Sequence, residues 1–174
     1  MSLAILSGDA SVPVYGPMRR REVGVHSAVH IAIGRERELI SEQDAYWSLG
    51  RAGLITPSNG ELLWIALGLD QLAAYLQVMP GTVQRVRIFC DNAFVVDCVL
   101  TGGDAAVGFN AHHVVPLAQL CHARVQAMRG QGCQVGVLRP HHGRRAGLIQ
   151  TADVRAREVR RAGWPLLSAD SDLH

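Results

Sequence analysis

The sequence predicts a mixed α/β fold in which an antiparallel three-strand meander is followed by parallel strands, with helices on both faces of the sheet. The first observation behind this prediction is a run of three segments with strand composition, the last two joined by a tight turn at residues 34–37. The second is that helical and strand patterns alternate after residue 60, which is typical of parallel strands joined by crossover connections. At 174 residues, the chain fits one domain, residues 1–174, with a proper core.

Strand patterns occupy five segments. The clearest is the fourth, where Val86, Ile88 and Cys90 alternate with Arg85 and Arg87 before the segment stops at an Asp-Asn pair. We predict strands over residues 2–7, 23–33, 38–49, 83–90 and 134–138.

Helical patterns occupy four segments. The longest begins at Glu61 and carries Leu62, Ile65, Leu69 and Leu72 at helical spacing. Its first half is apolar on almost every side, so we expect it to be buried. We predict helices over residues 61–78, 94–99, 111–129 and 151–162.

Composition indicates an ordinary globular protein, with 48% hydrophobic and 18% charged residues. The net charge of +2 is too small to indicate a nucleic-acid partner. All 17 basic residues are arginine and none is lysine, which suits bidentate phosphate contacts but is explained equally well by a GC-rich genome.

The cysteines and the absence of targeting signals bear on location. Cys90, Cys98, Cys121 and Cys133 show no CxxC pairing, so buried thiols in a reducing compartment are the simplest interpretation. The N-terminus lacks the basic region of a signal peptide, and no run of 18 apolar residues is present. We therefore expect an intracellular protein (cytoplasmic or in another reducing compartment) that is not secreted and has no membrane partner.

Four acidic residues fall at the ends or openings of predicted elements. Asp9 follows the first strand, Glu61 opens the long helix, Asp91 follows the fourth strand and Asp153 opens the last helix. If the first and fourth strands are neighbours, all four carboxylates meet at one edge of the sheet. Clustered carboxylates repel one another unless a cation neutralises them, and oxygen ligands favour Mg²⁺ or Mn²⁺ over zinc.

Each of these residues also has a purely structural interpretation. Asp9 suits a turn, Ser58 and Glu61 have the spacing of a capping box, and Asp91 suits a helix N-cap. Asp153 is placed to complement a helix dipole or to pair with an arginine four residues later. Taken singly, these interpretations are the stronger ones, and only the combination favours a metal site.

Four segments together resemble a known family in the right order and on matching elements. The family is ribonuclease H type 1, within the wider retroviral-integrase-like superfamily, and the resemblance covers nearly the whole chain. The segments are Asp9-Ala10-Ser11, Asn59-Gly60-Glu61-Leu62-Leu63, Cys90-Asp91-Asn92 followed by Val95-Val96, and His141-His142-Gly143 followed by Ala152-Asp153.

The resemblance implies a five-stranded mixed sheet and metal-dependent hydrolysis of the RNA strand of RNA–DNA hybrids. It implies two Mg²⁺ or Mn²⁺ ions, with Asp9 bridging them and Glu61, Asp91 and Asp153 completing the ligand set. His141, with His142 as its rival, would shuttle protons from the loop before the last helix. The protein would act alone or within a larger reverse-transcribing or nucleoprotein assembly.

Substrate contacts are assigned to residues beside these motifs. Ser58 and Asn59 adjoin Glu61 and would read the minor groove, where 2′-hydroxyls mark RNA. Asn92 stands where the family has serine and would make a phosphate contact. The remaining phosphate contacts are assigned to the arginines of the last helix and to those of two basic loops, Arg19, Arg20, Arg21, Arg144 and Arg145.

Two other functions are compatible with this fold. One is a non-catalytic binding or scaffold module, against which the presence of all four carboxylates argues. The other is a resolvase-like DNA nuclease, against which the position of Glu61, on a helix that follows a three-strand meander, argues.

Overall fold

A five-stranded mixed sheet forms the centre of the protein, as predicted. The computed structural model describes residues 2–12, 22–48, 55–106, 111–140 and 146–162. The strand order is β3-β2-β1-β4-β5, with β1 antiparallel to β2 and parallel to β4. The strands are β1 (Ser2–Ser11), β2 (Glu22–Ile33), β3 (Glu36–Ser48), β4 (Arg85–Phe89) and β5 (Gln134–Leu138).

Helices cover both faces of this sheet. The helices are α1 (Pro57–Val78), α2 (Ala93–Thr101), α3 (Ala111–Gly130) and α4 (Ala146–Ala162). The α1 helix packs on the face that carries Leu6 and Gly8, whereas α4 packs on the opposite face, which carries Ser11 and Gly24. Since successive strand residues point to opposite faces, these contacts place the two helices on either side of β1 and β2.

The main core lies between the sheet and α1, α2 and α3. The strands contribute Leu6, Val86 and Ile88, and α1 contributes Leu62 and Ile65, all at most 1% exposed. This arrangement follows from the patterns in the sequence, because α1 is apolar around most of its circumference in its first half and is buried there. The helix that carries Glu61 is therefore fixed against the sheet.

Several element boundaries differ from the predicted ones, and three of the differences affect the acidic residues. The β1 strand continues to Ser11, so Asp9 lies within the strand, opposite His26, and not in a turn. The α4 helix begins five residues before the predicted start, so Asp153 lies at the start of its third turn and does not open it. Asn92, not Asp91, caps α2, with its Oδ1 accepting from the Val95 N–H at 3.3 Å.

The start of α1 also differs from the prediction. Pro57 is the first helical residue, a position that suits proline because its missing N–H has no helical partner there. Thr56 is the N-cap, and the capping box joins Thr56 to Asn59 in place of Ser58 and Glu61. The Glu61 side chain is thus not needed to cap the helix.

The thiols lie where the sequence places them. Cys90, Cys98, Cys121 and Cys133 are all free and buried, which confirms the prediction of buried, unpaired cysteines. Burial raises the pKa of the Cys121 thiol to about 12, which keeps it neutral. Among the described helices, none is both long and apolar enough to cross a membrane.

Close packing between β1 and α1 depends on the absence of a side chain at Gly8. A Cβ atom at this position would lie 2.5 Å from the His26 carbonyl oxygen and 2.6 Å from the Trp64 indole ring. Trp64 is completely buried, so the ring has no free space into which it could withdraw. Gly8 therefore sets how closely α1 approaches the strand that carries Asp9.

We predict that Gly8→Ala lowers the free energy of unfolding by about 1–3 kcal/mol, because the new methyl group must displace backbone or a fully packed ring. Gly147→Ala is the matched control, since Gly147 lies on α4 with no atom within 4 Å of an added Cβ. It should stabilise the protein slightly, by about 0.5 kcal/mol. Urea unfolding of the three proteins measures both effects, and equal stabilities of Gly8→Ala and wild type would contradict the packing argument.

Candidate active site

The C-terminal ends of β1 and β4 lie side by side and bring acidic side chains to one edge of the sheet. These two strands are parallel neighbours with Ser7 opposite Phe89, so Asp9 and Asp91 follow the paired region at the same end. Glu61 reaches the same place from the second turn of α1, and the carboxyl groups of Glu61 and Asp9 are hydrogen-bonded. The negative charges of Asp91 and Asp153 also act on Asp9, so the structure brings all four predicted carboxylates to one neighbourhood.

Glu61 is the most constrained of the four. It is 7% exposed, and its Oε2 accepts a hydrogen bond from the Trp64 indole N–H at 2.5 Å. Burial, together with the hydrogen bond to Asp9 and the charge of Asp9, raises the pKa of Glu61 to about 9. Without a cation, Glu61 is therefore protonated at neutral pH and donates its proton to Asp9.

Asp9 is the ionised partner in this pair. Its Oδ1 accepts from the Ala10 N–H at 2.7 Å, and this bond and the one from Glu61 favour the charged form. Burial acts in the other direction and is the larger effect, so the pKa of Asp9 rises to about 6. The half-buried Asp9 and the buried Glu61 thus share a proton, as closely spaced carboxyl groups do.

Cys90 and Asp91 lie next to Glu61 in the candidate site. The Cys90 sulfur lies 3.6 Å from Glu61 Oε2, and ligand atoms of Glu61, Cys90 and Asp91 lie within 4.8 Å of one another. Burial, reinforced by the neighbouring carboxylates, raises the pKa of the Cys90 thiol far above its usual range. Cys90 is therefore a neutral hydrogen-bond donor here, and the charged groups of the site are carboxylates.

Asp153 stands apart from this buried set. Its side chain is 34% exposed, and its Oδ2 pairs with Arg157 Nη2 at 2.7 Å, four residues further along α4. The arginine pairing considered from the sequence is thus present, although Asp153 is also close enough for its charge to act on Asp9. A ligand bound beside Asp9 would compete with Arg157 for this carboxylate.

The donor groups fit a hard divalent cation. The site offers carboxylate oxygens and a neutral thiol, a set that suits Mg²⁺ or Mn²⁺ better than zinc, which favours thiolate and imidazole. The raised pKa values of Asp9 and Glu61 indicate that the hydrogen bonds from Ala10 and Trp64 do not fully compensate two negative charges here. A cation at this position would offset their repulsion and allow both to ionise.

The predicted substrate-contacting residues have mixed placements. Asn59 is 7% exposed, and its amide nitrogen donates to the His113 carbonyl at 2.8 Å while its Oδ1 accepts from Thr56. Ser58 is half-buried beside it, and the Oδ1 of Asn92 is used in capping. Substrate binding by these residues stays a prediction. The other predicted residues lie outside the described ranges; they are Arg19, Arg20, Arg21, His141, His142, Arg144 and Arg145.

Sequence reasoning missed the groups that hold Glu61 in place. Trp64 lies three residues after Glu61, and Cys90 immediately precedes Asp91. The sequence therefore places both residues near candidate acidic residues. Helical spacing of three would have indicated that Trp64 and Glu61 share a face. Their contacts with one carboxyl group required the packing of α1 on the sheet, which local patterns do not reveal.

The shared proton predicts how the stability of the metal-free protein depends on pH. The pKa of Glu61 is about 9 in the folded protein against 4.5 as the ordinary value, so the folded state holds a proton that the unfolded chain releases between these pH values. Stability is then greatest at the acidic end of that window and falls as pH rises. We predict that the melting temperature in EDTA falls by roughly 10 °C between about pH 5.5 and pH 8.5, since one proton released over most of this range lowers the free energy of unfolding by about 4 kcal/mol.

The Glu61→Gln variant tests the source of this dependence. The amide can still donate to Asp9 and accept from Trp64 but does not titrate, so the fall with pH should flatten. Glu158→Gln is the matched control, because Glu158 has a 58% exposed side chain on α4, and its pH profile should follow the wild type. Parallel profiles for all three proteins would show that Glu61 is not the titrating group.

Comparison with known proteins identifies the fold. No protein-family model matches the sequence, and no curated protein sequence is significantly similar to it. Solved structures do match over almost the whole chain. The N-terminal RNase H domain of a Mycobacterium tuberculosis protein, solved as a fusion with maltose-binding protein, is 13% identical with a TM-score of 0.62, and the match covers 94% of this chain and 100% of that one.

Two further structures show the same likeness. A foamy viral protease–reverse transcriptase in complex with double-stranded DNA has 11% identity and a TM-score of 0.63, with 91% of this chain and 94% of that chain covered. LC11-RNase H1, solved with an RNA/DNA hybrid, has 15% identity and a TM-score of 0.56, with 91% and 97% covered. The resemblance to ribonuclease H inferred from the sequence is confirmed at the level of the fold: this chain has the RNase H-like fold.

Proposed function

We propose that this protein is a metal-dependent endoribonuclease that hydrolyses the RNA strand of RNA–DNA hybrids. The observation that carries the proposal is the convergence of the hydrogen-bonded Asp9–Glu61 pair with Asp91 at the edge of an RNase H-like sheet. Two carboxyl groups that share a proton, one of them buried, are a costly arrangement for a purely structural site. Support also comes from the similarity to LC11-RNase H1, whose structure contains an RNA/DNA hybrid.

We assign the metal-binding role to the four carboxylates. Asp9, Glu61, Asp91 and Asp153 would hold two Mg²⁺ or Mn²⁺ ions, with Asp9 between the others. When bound, the ions would supply an activated water and stabilise the leaving 3′-oxygen of the phosphodiester. The protein's own contribution is orientation, because the Trp64 hydrogen bond keeps the carboxyl group of Glu61 beside that of Asp9.

We assign substrate recognition to the groups around this edge. Ser58 and Asn59 lie in the first turn of α1, just before Glu61, and would face the minor groove of the hybrid. Asn59 would act mainly by holding this turn to the start of α3 through the His113 carbonyl. Phosphates would be bound by Asn92 and by the arginines of the two basic loops, and His141 or His142 would transfer protons.

The proposed activity fits two kinds of protein. The protein would act as a free-standing enzyme or as a domain of a reverse-transcribing assembly. The similarity to a viral protease–reverse transcriptase is compatible with the second form. Both forms require the same site, so the first experiment addresses the chemistry.

The direct test is incubation of the purified protein with a labelled RNA–DNA hybrid, duplex DNA and duplex RNA. Each substrate is tested with Mg²⁺, with Mn²⁺ and with EDTA. The proposal predicts internal cleavage of the RNA strand of the hybrid alone, and only with a divalent ion. Cleavage of duplex DNA in preference to hybrid would instead indicate a DNA nuclease on this fold.

The Asp9→Asn variant locates the activity in this site. The amide preserves the shape of the side chain but removes a charge that the ions require, so hybrid cleavage should fall at least about a thousandfold while hybrid binding is nearly unchanged. Asp104→Asn, at an exposed turn after α2, is the matched control and should cleave normally. Wild-type cleavage by Asp9→Asn would remove Asp9 from the site.

A further inference from the structure

A second polar network lies next to Asp9 on the face of the sheet that α4 covers. Asp9 is directly opposite His26 of β2, and His26 is directly opposite Asp44 of β3. Residues directly opposite one another on antiparallel strands point to the same face, so the three form a row across the sheet. His26 Nδ1 lies 2.6 Å from Asp44 Oδ1, and both side chains are at most 8% exposed.

The row is continued by an arginine of α4. The Arg155 guanidinium donates from Nε to Asp44 Oδ2 at 2.7 Å, and its Nη2 lies 2.7 Å from the same oxygen in an ion pair. The two oxygens of the buried Asp44 carboxylate therefore have different partners, His26 on β2 and Arg155 on α4. Since a buried carboxylate that loses its partner is strongly unfavourable, this contact restricts where α4 can lie.

Two more contacts hold α4 against the sheet, one with β2 and one with β1. A Cβ atom at Gly24 would lie 2.4 Å from the Ala156 carbonyl oxygen, so the helix backbone touches the backbone of β2. Nearer its end, α4 is tied to β1 by a hydrogen bond from Arg160 Nε to Ser11 Oγ at 2.9 Å. The Asp44–Arg155 pair is the contact nearest in sequence to Asp153, which lies two residues before Arg155.

We propose that the His26–Asp44–Arg155 network is a positioning device for the fourth carboxylate of the candidate site. Asp153 pairs with Arg157 of its own helix, so its distance from Asp9 depends on where α4 lies on the sheet. The network holds α4 against the strands in the same row of residues that contains Asp9. Asp44 and Arg155 are positioning residues, and the role assigned to Asp153 rests on the proposed function.

The network is less suited to binding a cation of its own. Ligand atoms of His26, Glu42 and Asp44 lie within 4.8 Å of one another. However, Asp44 already accepts from Arg155, whose positive charge opposes a cation, and its other oxygen is engaged with His26. A Zn²⁺ site here would have to break both contacts, whereas positioning uses them as they are.

The test is the dissociation constant of Mn²⁺, measured by calorimetry on the intact protein without nucleic acid. Arg155→Gln should weaken Mn²⁺ binding about tenfold, as loss of groups that orient metal ligands does. Arg155→Lys, which keeps the cation, should recover part of the loss. Arg161→Gln removes an exposed arginine from the same helix and is the matched control, with wild-type affinity expected.

A double-variant cycle tests whether the effect passes through Asp44. Asp44→Asn and Arg155→Gln should each weaken Mn²⁺ binding, and the double variant should be no weaker than the worse single variant, because one contact is removed in each case. Melting temperatures identify a temperature at which every variant is folded. A variant that melts earlier but binds Mn²⁺ as wild type does would show a structural role alone and overturn the proposal.

The outcomes separate this inference from the proposed function. If wild type binds Mn²⁺ and Arg155→Gln weakens that binding, the inference stands even if hybrid is not cleaved. If wild type cleaves hybrid but Arg155→Gln and Arg161→Gln bind Mn²⁺ equally, the inference is wrong and the proposed function is unaffected. A melting shift with Zn²⁺ that is lost in His26→Gln would assign the network to cation binding and overturn it.

Discussion

The structure depends above all on how closely α1 approaches β1. This approach places the Glu61 carboxyl group in the protein interior, hydrogen-bonded to Asp9 and to the Trp64 indole. A chain that needed only a stable core would have little reason to keep two carboxyl groups so close together, one of them buried, because loss of solvent raises the pKa values of both. The absence of a side chain at Gly8 makes the approach possible. The same close packing therefore determines both the fit of α1 on the sheet and the raised pKa of Glu61.

The candidate site consists of two unequal halves. The buried Glu61 and the half-buried Asp9 form the first half, in which the two carboxyl groups are hydrogen-bonded to each other and held by a central strand and a helix packed on it. Asp91 is exposed and Asp153 is partly exposed, so the second half can exchange its partners with solvent, with Arg157 or with a ligand. This division suits a site that must hold an ion firmly and still release a product. It also agrees with the proposal that a separate network, and not Asp153 itself, positions α4 on the sheet.

Much of the fold could be predicted from local patterns, and the site only in outline. Alternation along β4 and helical spacing along α1 gave the correct elements, because β4 alternates apolar and charged residues and α1 repeats its apolar residues at helical spacing. Element ends were less accurate. Asp9 lies within β1 because pairing with β2 continues beyond the apolar run, and α1 begins at Pro57 because Thr56 and Asn59 cap it.

Contacts between distant parts of the chain could not be predicted in this way. Asp44 and Arg155 are 111 residues apart, and no periodicity links them, because their meeting depends on the crossing of α4 over β2 and β3. The same holds for the hydrogen bond between Asp9 and Glu61. Acidic residues at element ends indicated a shared edge, but the protonation of Glu61 follows from burial, which only the packed structure defines.

The most direct test of the account is anomalous X-ray diffraction from crystals of the wild-type protein containing Mn²⁺. The account predicts Mn²⁺ peaks within ligand distance of carboxylate oxygens of Asp9, Glu61 and Asp91, with Asp153 turned from Arg157 toward an ion. Mn²⁺ bound elsewhere on the protein, with Asp9 and Glu61 still sharing a hydrogen bond, would contradict it.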